Sequence, residues 1–154
     1  MRFSDALNRR AEEIQRPAIL PRGHYVLAVK KLDQGSVSDG KWDTVEFQCS
    51  VVEPVDVDPD DLEAFGASTA GEPLRKRFMF NTDPAEERAF NQTMVNLRRF
   101  LEHCNIGFTA DSDMTLGEGL GSVIGAQFIG ECTHRADKNN PENVYTEIGR
   151  TAPR

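Results

Sequence analysis

The stretch "WDTVEFQCSVV" (42–52) constrains the fold of this chain more than any other. Val45, Phe47, Cys49 and Val51 alternate with Thr44, Glu46, Gln48 and Ser50. A period of two is the pattern of an extended strand with one face in a core. Trp42 has the parity of the polar set, so it falls on the face opposite Phe47 unless a bulge intervenes. Just upstream, Asp39-Gly40 is a hairpin turn signal within the long connection "DQGSVSDGK" (33–41). "HYVLAVKKL" (24–32) before it reads as the partner strand.

The flanking segments complete a small mixed fold. Residues 4–16 predict a short helix with Ser4 as N-cap and Leu7, Ala11 and Ile14 on one stripe; Pro17 and Pro21 end it. "LRKRFMFN" (74–81) predicts a third strand, with Leu74, Lys76, Phe78 and Phe80 on one face and Arg75, Arg77, Met79 and Asn81 on the other. A long helix follows. Asp83 is its cap, Pro84 its first residue and Glu86 its capping-box partner, and Gly107 is the expected stop. Phe90, Met94, Leu97, Leu101 and Cys104 form its apolar stripe. "TLGEGLGSVIG" (115–125) reads as a glycine-broken helical turn with Thr115 and Glu118 at capping-box spacing. "AQFIGECTHRAD" and "VYTEIGRT" read as strands four and five around the turn "KNNPEN". Between strands two and three, residues 53–73 read as an acidic loop insertion, with one helical turn at "DPDDLEAFG" and no expected part in the core.

The expected fold is therefore mainly β with helices (α+β), one domain over 1–154. It is an OB-fold-like five-stranded antiparallel barrel with an N-terminal helix (1–16) and a long helix between strands three and four. No apolar run approaches the roughly 18 residues that span a bilayer. The charged N-terminus lacks a signal peptide's apolar stretch, so a cytoplasmic location is expected. Cys49, Cys104 and Cys132 are an odd set with no close pair, which suggests neither a disulfide framework nor a CxxC metal site.

Charge narrows the function classes. The net charge of −7 argues against a generic polyanion binder. Yet Glu53, Asp56, Asp58, Asp60, Asp61 and Glu63 lie in one stretch, and without those six the chain has 19 acidic and 18 basic residues. A local basic face is then compatible with the total. Arginine outnumbers lysine 13 to 5, and its planar fork suits phosphates and stacks on bases.

Several segments together carry a resemblance: "LPRGHYVLAVKK", "SDGKWDTVEFQCSVVEP", "RKRFMFN", "NLRRFLEHC", "IGAQFIGECTHRADKNNPENVYTEI" and "RTAP". Over about residues 17 to 153 the chain resembles a group of bacteriophage-encoded single-stranded-DNA-binding proteins with an OB-fold. The resemblance implies non-sequence-specific binding of single-stranded DNA in phage DNA replication or recombination, in the host cytoplasm. It also implies phage or host replication and recombination proteins as partners, and leaves self-association open. Many such proteins carry an acidic C-terminal tail that recruits partners. This chain ends "GRTAPR", and the acidic stretch at 53–63 is the remaining candidate for that role.

Single-strand binding needs cations along a groove and flat side chains for bases. The outer face of strands two and three and the loop between strands one and two are the ligand surface of an OB-fold. The residues expected there are Lys30, Lys41, Trp42, Thr44, Gln48, Arg75 and Arg77, with Arg135 and Tyr145 extending the groove from the last hairpin. Each has a plainer alternative. Trp42 can cap the barrel end under the N-terminal helix. Arg75, Lys76 and Arg77 can balance the acidic loop, and Lys30 and Lys31 can be a solvated edge. Tyr25 alternates with Leu27 and Val29 and is expected in the core. Arg98 and Arg99 are expected on the wet face of the long helix. No enzyme motif, cofactor or metal set is expected: His24, His103 and His134 are scattered, Cys132 with His134 is a poor zinc site, and "GEGLGSVIG" does not match GxGxxG. The rival class is a non-enzymatic protein-interaction or virion-associated β-barrel module that docks a partner through its acidic loop.

Overall fold

A computed structural model describes residues 2–8, 18–108 and 113–154. Strands β1 (Gly23–Val37) and β2 (Trp42–Asp56) form a long hairpin, 15 residues each. Its turn is shorter than the sequence suggests. Pairing continues to Val37↔Trp42, and only Ser38–Lys41 lie outside the ladder. Asp39 and Gly40 both adopt positive φ (57° and 83°), which suits the right-handed twist of the flanking strands.

Residues 53–73 are loop only in part, and the helical turn expected within them is present. Glu53–Asp56 continue β2, paired with His24–Val26 through two bulges. Pro59–Phe65 form helix α2, capped by Asp58, whose carboxylate accepts from the Asp60 N–H at 2.8 Å. Val57 packs against the core and Thr69 is buried. Acidity did not forbid a strand here because Glu53 and Asp56 point to solvent.

The first helix, α1 (Phe3–Leu7), starts earlier than expected. The Arg2 carbonyl accepts from Asp5 and Ala6, which puts Ser4 inside the helix rather than at its cap. Residues 9–16 of the expected helix lie outside the described residues. Strand β3 is Pro73–Asn81. After it, Asp83 caps a 3-10 turn (Pro84–Glu86) that leads into α3 (Glu87–His103). α3 does not run to Gly107. Asn105 takes the left-handed conformation (φ 64°), and the Ile106 N–H returns to the Leu101 carbonyl at 3.0 Å. α4 (Leu116–Gly121) is capped by Thr115, which accepts from the Glu118 N–H at 3.1 Å. Strands β4 (Gln127–Ala136) and β5 (Val144–Pro153) form the last hairpin.

All five strands make one antiparallel sheet, ordered β3-β2-β1-β4-β5. The sheet curls but does not close. At the open seam the Lys76 amine on β3 donates to the Gly149 carbonyl on β5 at 2.9 Å. The arrangement is a partly open barrel compatible with an OB-like fold. α3 spans the seam, with Phe90 against Phe80 of β3 (5.3 Å between ring centroids) and His103 bonded to Thr151 of β5 (2.7 Å).

The core fills the concave side of the sheet. Phe100 of α3 is its centre, touching Phe47 at 4.7 Å, Phe128 at 5.0 Å and Phe78 at 5.7 Å. Tyr25, Leu27 and Val29 are fully buried, and the Tyr25 hydroxyl donates to the Pro21 carbonyl at 2.7 Å. Gly130 is where β4 passes tightly over this layer: a Cβ there would lie 2.6 Å from Leu27. No described helix is long and apolar enough to cross a membrane.

Candidate functional site

The β2–β3 ladder runs without a bulge from Trp42↔Asn81 to Ser50↔Pro73. Parity read from the sequence therefore survives along it. Val45, Phe47 and Cys49 face the core with Leu74, Phe78 and Phe80. Trp42, Thr44, Glu46 and Gln48 share the outer face with Arg75, Arg77, Met79 and Asn81. Along it Trp42 and Arg77, which pairs with Glu46, are about 14 Å apart at roughly 3.4 Å per residue.

Trp42 is half-buried and stands outside the hydrophobic core. The hairpin end that carries it is pinned to the end of β3. The Thr82 hydroxyl donates to the Gly40 carbonyl at 2.7 Å, and the Thr82 N–H donates to the Lys41 carbonyl at 3.0 Å. Trp42 and Lys41 line a depression of about 450 Å³ with Asp39 and Asp83. Those carboxylates disfavour a phosphate there but not an uncharged base.

Arg75 and Arg77 meet Arg135 and Tyr145 in a second groove, of about 310 Å³, across the seam. Four residues expected at the site from separate parts of the sequence thus line one space. Glu46 and Glu147 line it too. Glu46 lies 3.3 Å from Arg75 and Glu147 4.0 Å from Arg135. Both are surface ion pairs, worth at most about 1 kcal/mol, so a phosphate can replace either carboxylate. Tyr145 is 47% exposed, an open ring beside this groove. Its hydroxyl reaches Asp137 at 3.4 Å.

The remaining expected residues are less available. Thr44 is buried, 9% exposed, between Gly35 and Met79. The Gln48 amide is engaged by Asp33 at 2.7 Å. Lys30 is the extra residue of a β1 bulge, exposed but in neither groove.

On the other side of the Lys76–Gly149 bridge is a larger groove of about 610 Å³, between β3, β5 and α3. Sequence reasoning missed it. Arg99 and Arg150 line it beside Arg77, and neither is among the residues the sequence points to. Only the seam's position shows that this part of α3's wet face borders β5. Lys76, on the inward face, lies between the two grooves. Desolvation lowers its amine below the ordinary lysine value, and Glu147 opposes that shift. The amine also sits 5.6 Å from the Phe78 ring centroid.

The three cysteines are buried and free, and burial pushes the thiols of Cys49 and Cys104 up to about 12 and that of Cys132 up to about 11. Cys132 and His134 both address the Leu20 carbonyl, at 3.8 Å and 2.7 Å. Among the described residues no group of three or more His, Cys, Asp or Glu side chains is placed to hold a metal ion. The sequence matches no family model, and no curated protein matches it.

Proposed function

We propose that the protein binds single-stranded DNA with little sequence preference and without catalysis. In this reading it serves phage DNA replication or recombination, like the phage proteins it resembles. The observation that carries the reading is the convergence of Arg75, Arg77, Arg135 and Tyr145 on one groove across the seam. The three guanidinium groups supply backbone contacts, and Tyr145 and Trp42 supply flat surfaces for bases. Met79, 38% exposed between Trp42 and Arg77, extends the apolar part of the track.

The strand lies along the outer face of β2 and β3, bases towards Trp42 and phosphates towards the arginines. Glu46 and Glu147 pair with Arg75 and Arg135 in the free protein and yield to phosphate oxygens on binding. A salt titration with oligo-dT tests this. Log affinity falls with log salt by about 0.7 per phosphate contact to a single strand, so Arg75→Ala with Arg77→Ala flattens the slope by about 1.4. Salt-independent binding, or tighter binding of duplex, refutes the reading.

A further inference from the structure

We infer that the groove between α3, β3 and β5 is a second phosphate-backbone track, which a longer single strand enters past Arg77. The inference rests on the proposed single-strand binding and extends it to residues outside the outer face of β2 and β3.

The first argument is composition. Twelve residues line the groove; four are Arg or Lys and none is Asp or Glu. The whole chain has 25 acidic and 18 basic residues. A lining drawn at random would hold more carboxylates than cations.

The second argument is pairing. Arg75, Arg98, Arg135 and Arg154 each lie within 4.0 Å of a glutamate. Arg77, Arg99 and Arg150 have no ion pair or side-chain hydrogen bond among the described residues. Arg98 and Arg99 are adjacent on α3, yet only Arg98 is tied down, to Glu102 at 3.0 Å. Three like charges held together without counter-charge repel one another, and an anionic ligand removes that cost.

The third argument is position. The Lys76–Gly149 bond sets Arg77 and Arg150 next to each other across the seam. The His103–Thr151 bond docks the end of α3 on β5, and Arg99 lies one turn before His103. Thr93 and Asn96 add neutral hydrogen-bonding groups to the same groove. Lys76 and Arg77 line both this groove and the one holding Arg75 and Arg135, so one backbone can pass from one to the other.

The test is Arg99→Ala with Arg150→Ala, measured against oligo-dT of about 5 and about 15 nucleotides, both within the range one OB-fold covers. Both residues are exposed and make no ion pair among the described residues, so the melting temperature does not fall. The expected result is unchanged affinity for the shorter oligomer, weakened affinity for the longer one, and a salt slope about 1.4 smaller for the longer one. Between about 50 and 200 mM salt the variant then loses about sevenfold less affinity than the wild type. Arg98→Ala serves as the neighbouring control and leaves both affinities unchanged. If the wild type binds both oligomers and the double variant keeps the full gain with length and the full slope, the second track is refuted and the outer-face site stands. Wild-type protein that binds neither oligomer refutes the single-strand reading itself. Poly-glutamate that binds the wild type but not the double variant, with oligo-dT binding unaltered, assigns the groove to an acidic protein and overturns the inference.

Discussion

Trp42→Ala separates a binding tryptophan from a structural one. The side chain is half-buried and outside the core. At most about nine tenths of a tryptophan's roughly 200 Å² is buried, which at about 25 cal/mol per Å² sets an upper bound of about 4.5 kcal/mol on the stability lost. For a chain of this length that is a drop of at most about 18 °C in melting temperature. The hairpin end stays pinned through Thr82, Gly40 and Lys41, which make these contacts without the indole. A base stacked on the ring contributes about 1–3 kcal/mol, so affinity for oligo-dT falls roughly five- to 150-fold. Trp42 is the only tryptophan, so oligo-dT quenches the emission of the wild type and titrates its own site. Trp42→Phe keeps a flat ring and recovers most of the affinity. The reasoning fails if Trp42→Ala binds within twofold of wild type, or if wild-type emission is indifferent to oligo-dT.

Three further outcomes follow from the core and the seam. Phe100→Ala, which removes the ring shared by Phe47, Phe78 and Phe128, destabilises by about 3–5 kcal/mol in a urea titration; a loss well below about 3 kcal/mol contradicts the assigned centre of the core. For Lys76, the folded-state value is depressed, so the folded protein releases this proton first and the unfolded chain holds more protons until about 10.5. The stability difference between wild type and Lys76→Met therefore shifts in favour of wild type as pH rises towards 10.5; a flat difference across pH 7–11, roughly the span below and around the ordinary lysine value, contradicts the desolvation. For Cys49, Cys104 and Cys132 the folded-state values are raised from 9.0 to about 12, 12 and 11. Their stabilisation is complete below pH 9 and is lost as pH rises through that interval, at up to about 1.4 kcal/mol per pH unit for each thiol. Melting temperatures of wild type and Cys49→Ala from pH 8 to 11, about the interval in question, check this, since the variant declines less steeply.

The strands were legible where the ladder is regular. Trp42 faces outward because no bulge interrupts β2 between Trp42 and Val51, and Asp39-Gly40 makes the turn its composition demands. Legibility failed where a local rule competed with pairing. The stretch from Asp33 to Val37 looks like loop but completes a ladder because β2 offers it a continuous partner. The α3 stripe was read too narrowly: Phe100, adjacent to Leu101, lies on the wide apolar face and became the most connected aromatic ring. Gly107 lost to Asn105, which reaches the left-handed region sooner. The candidate site was half visible. Arg75, Arg77, Arg135 and Tyr145 could be named singly, but not that β3 and β5 would meet and join them. Arg99 and Arg150 carry no local signal, because an arginine on a wet face looks the same whether it borders solvent or a groove.

The open seam also bears on how the molecule meets its copies. β3 pairs only with β2, and β5 only with β4, so each leaves a row of backbone donors and acceptors unmatched along one side. Such edges template the addition of another chain's strand and seed aggregation. Here the two edges look at each other across a gap bridged by the Lys76 amine and spanned by α3. Charged residues guard what remains: Arg75, Lys76 and Arg77 stand in succession along one edge and Arg150 on the other. The cations that line the proposed phosphate track also stand where gatekeeper charges oppose the pairing of two bare strand edges.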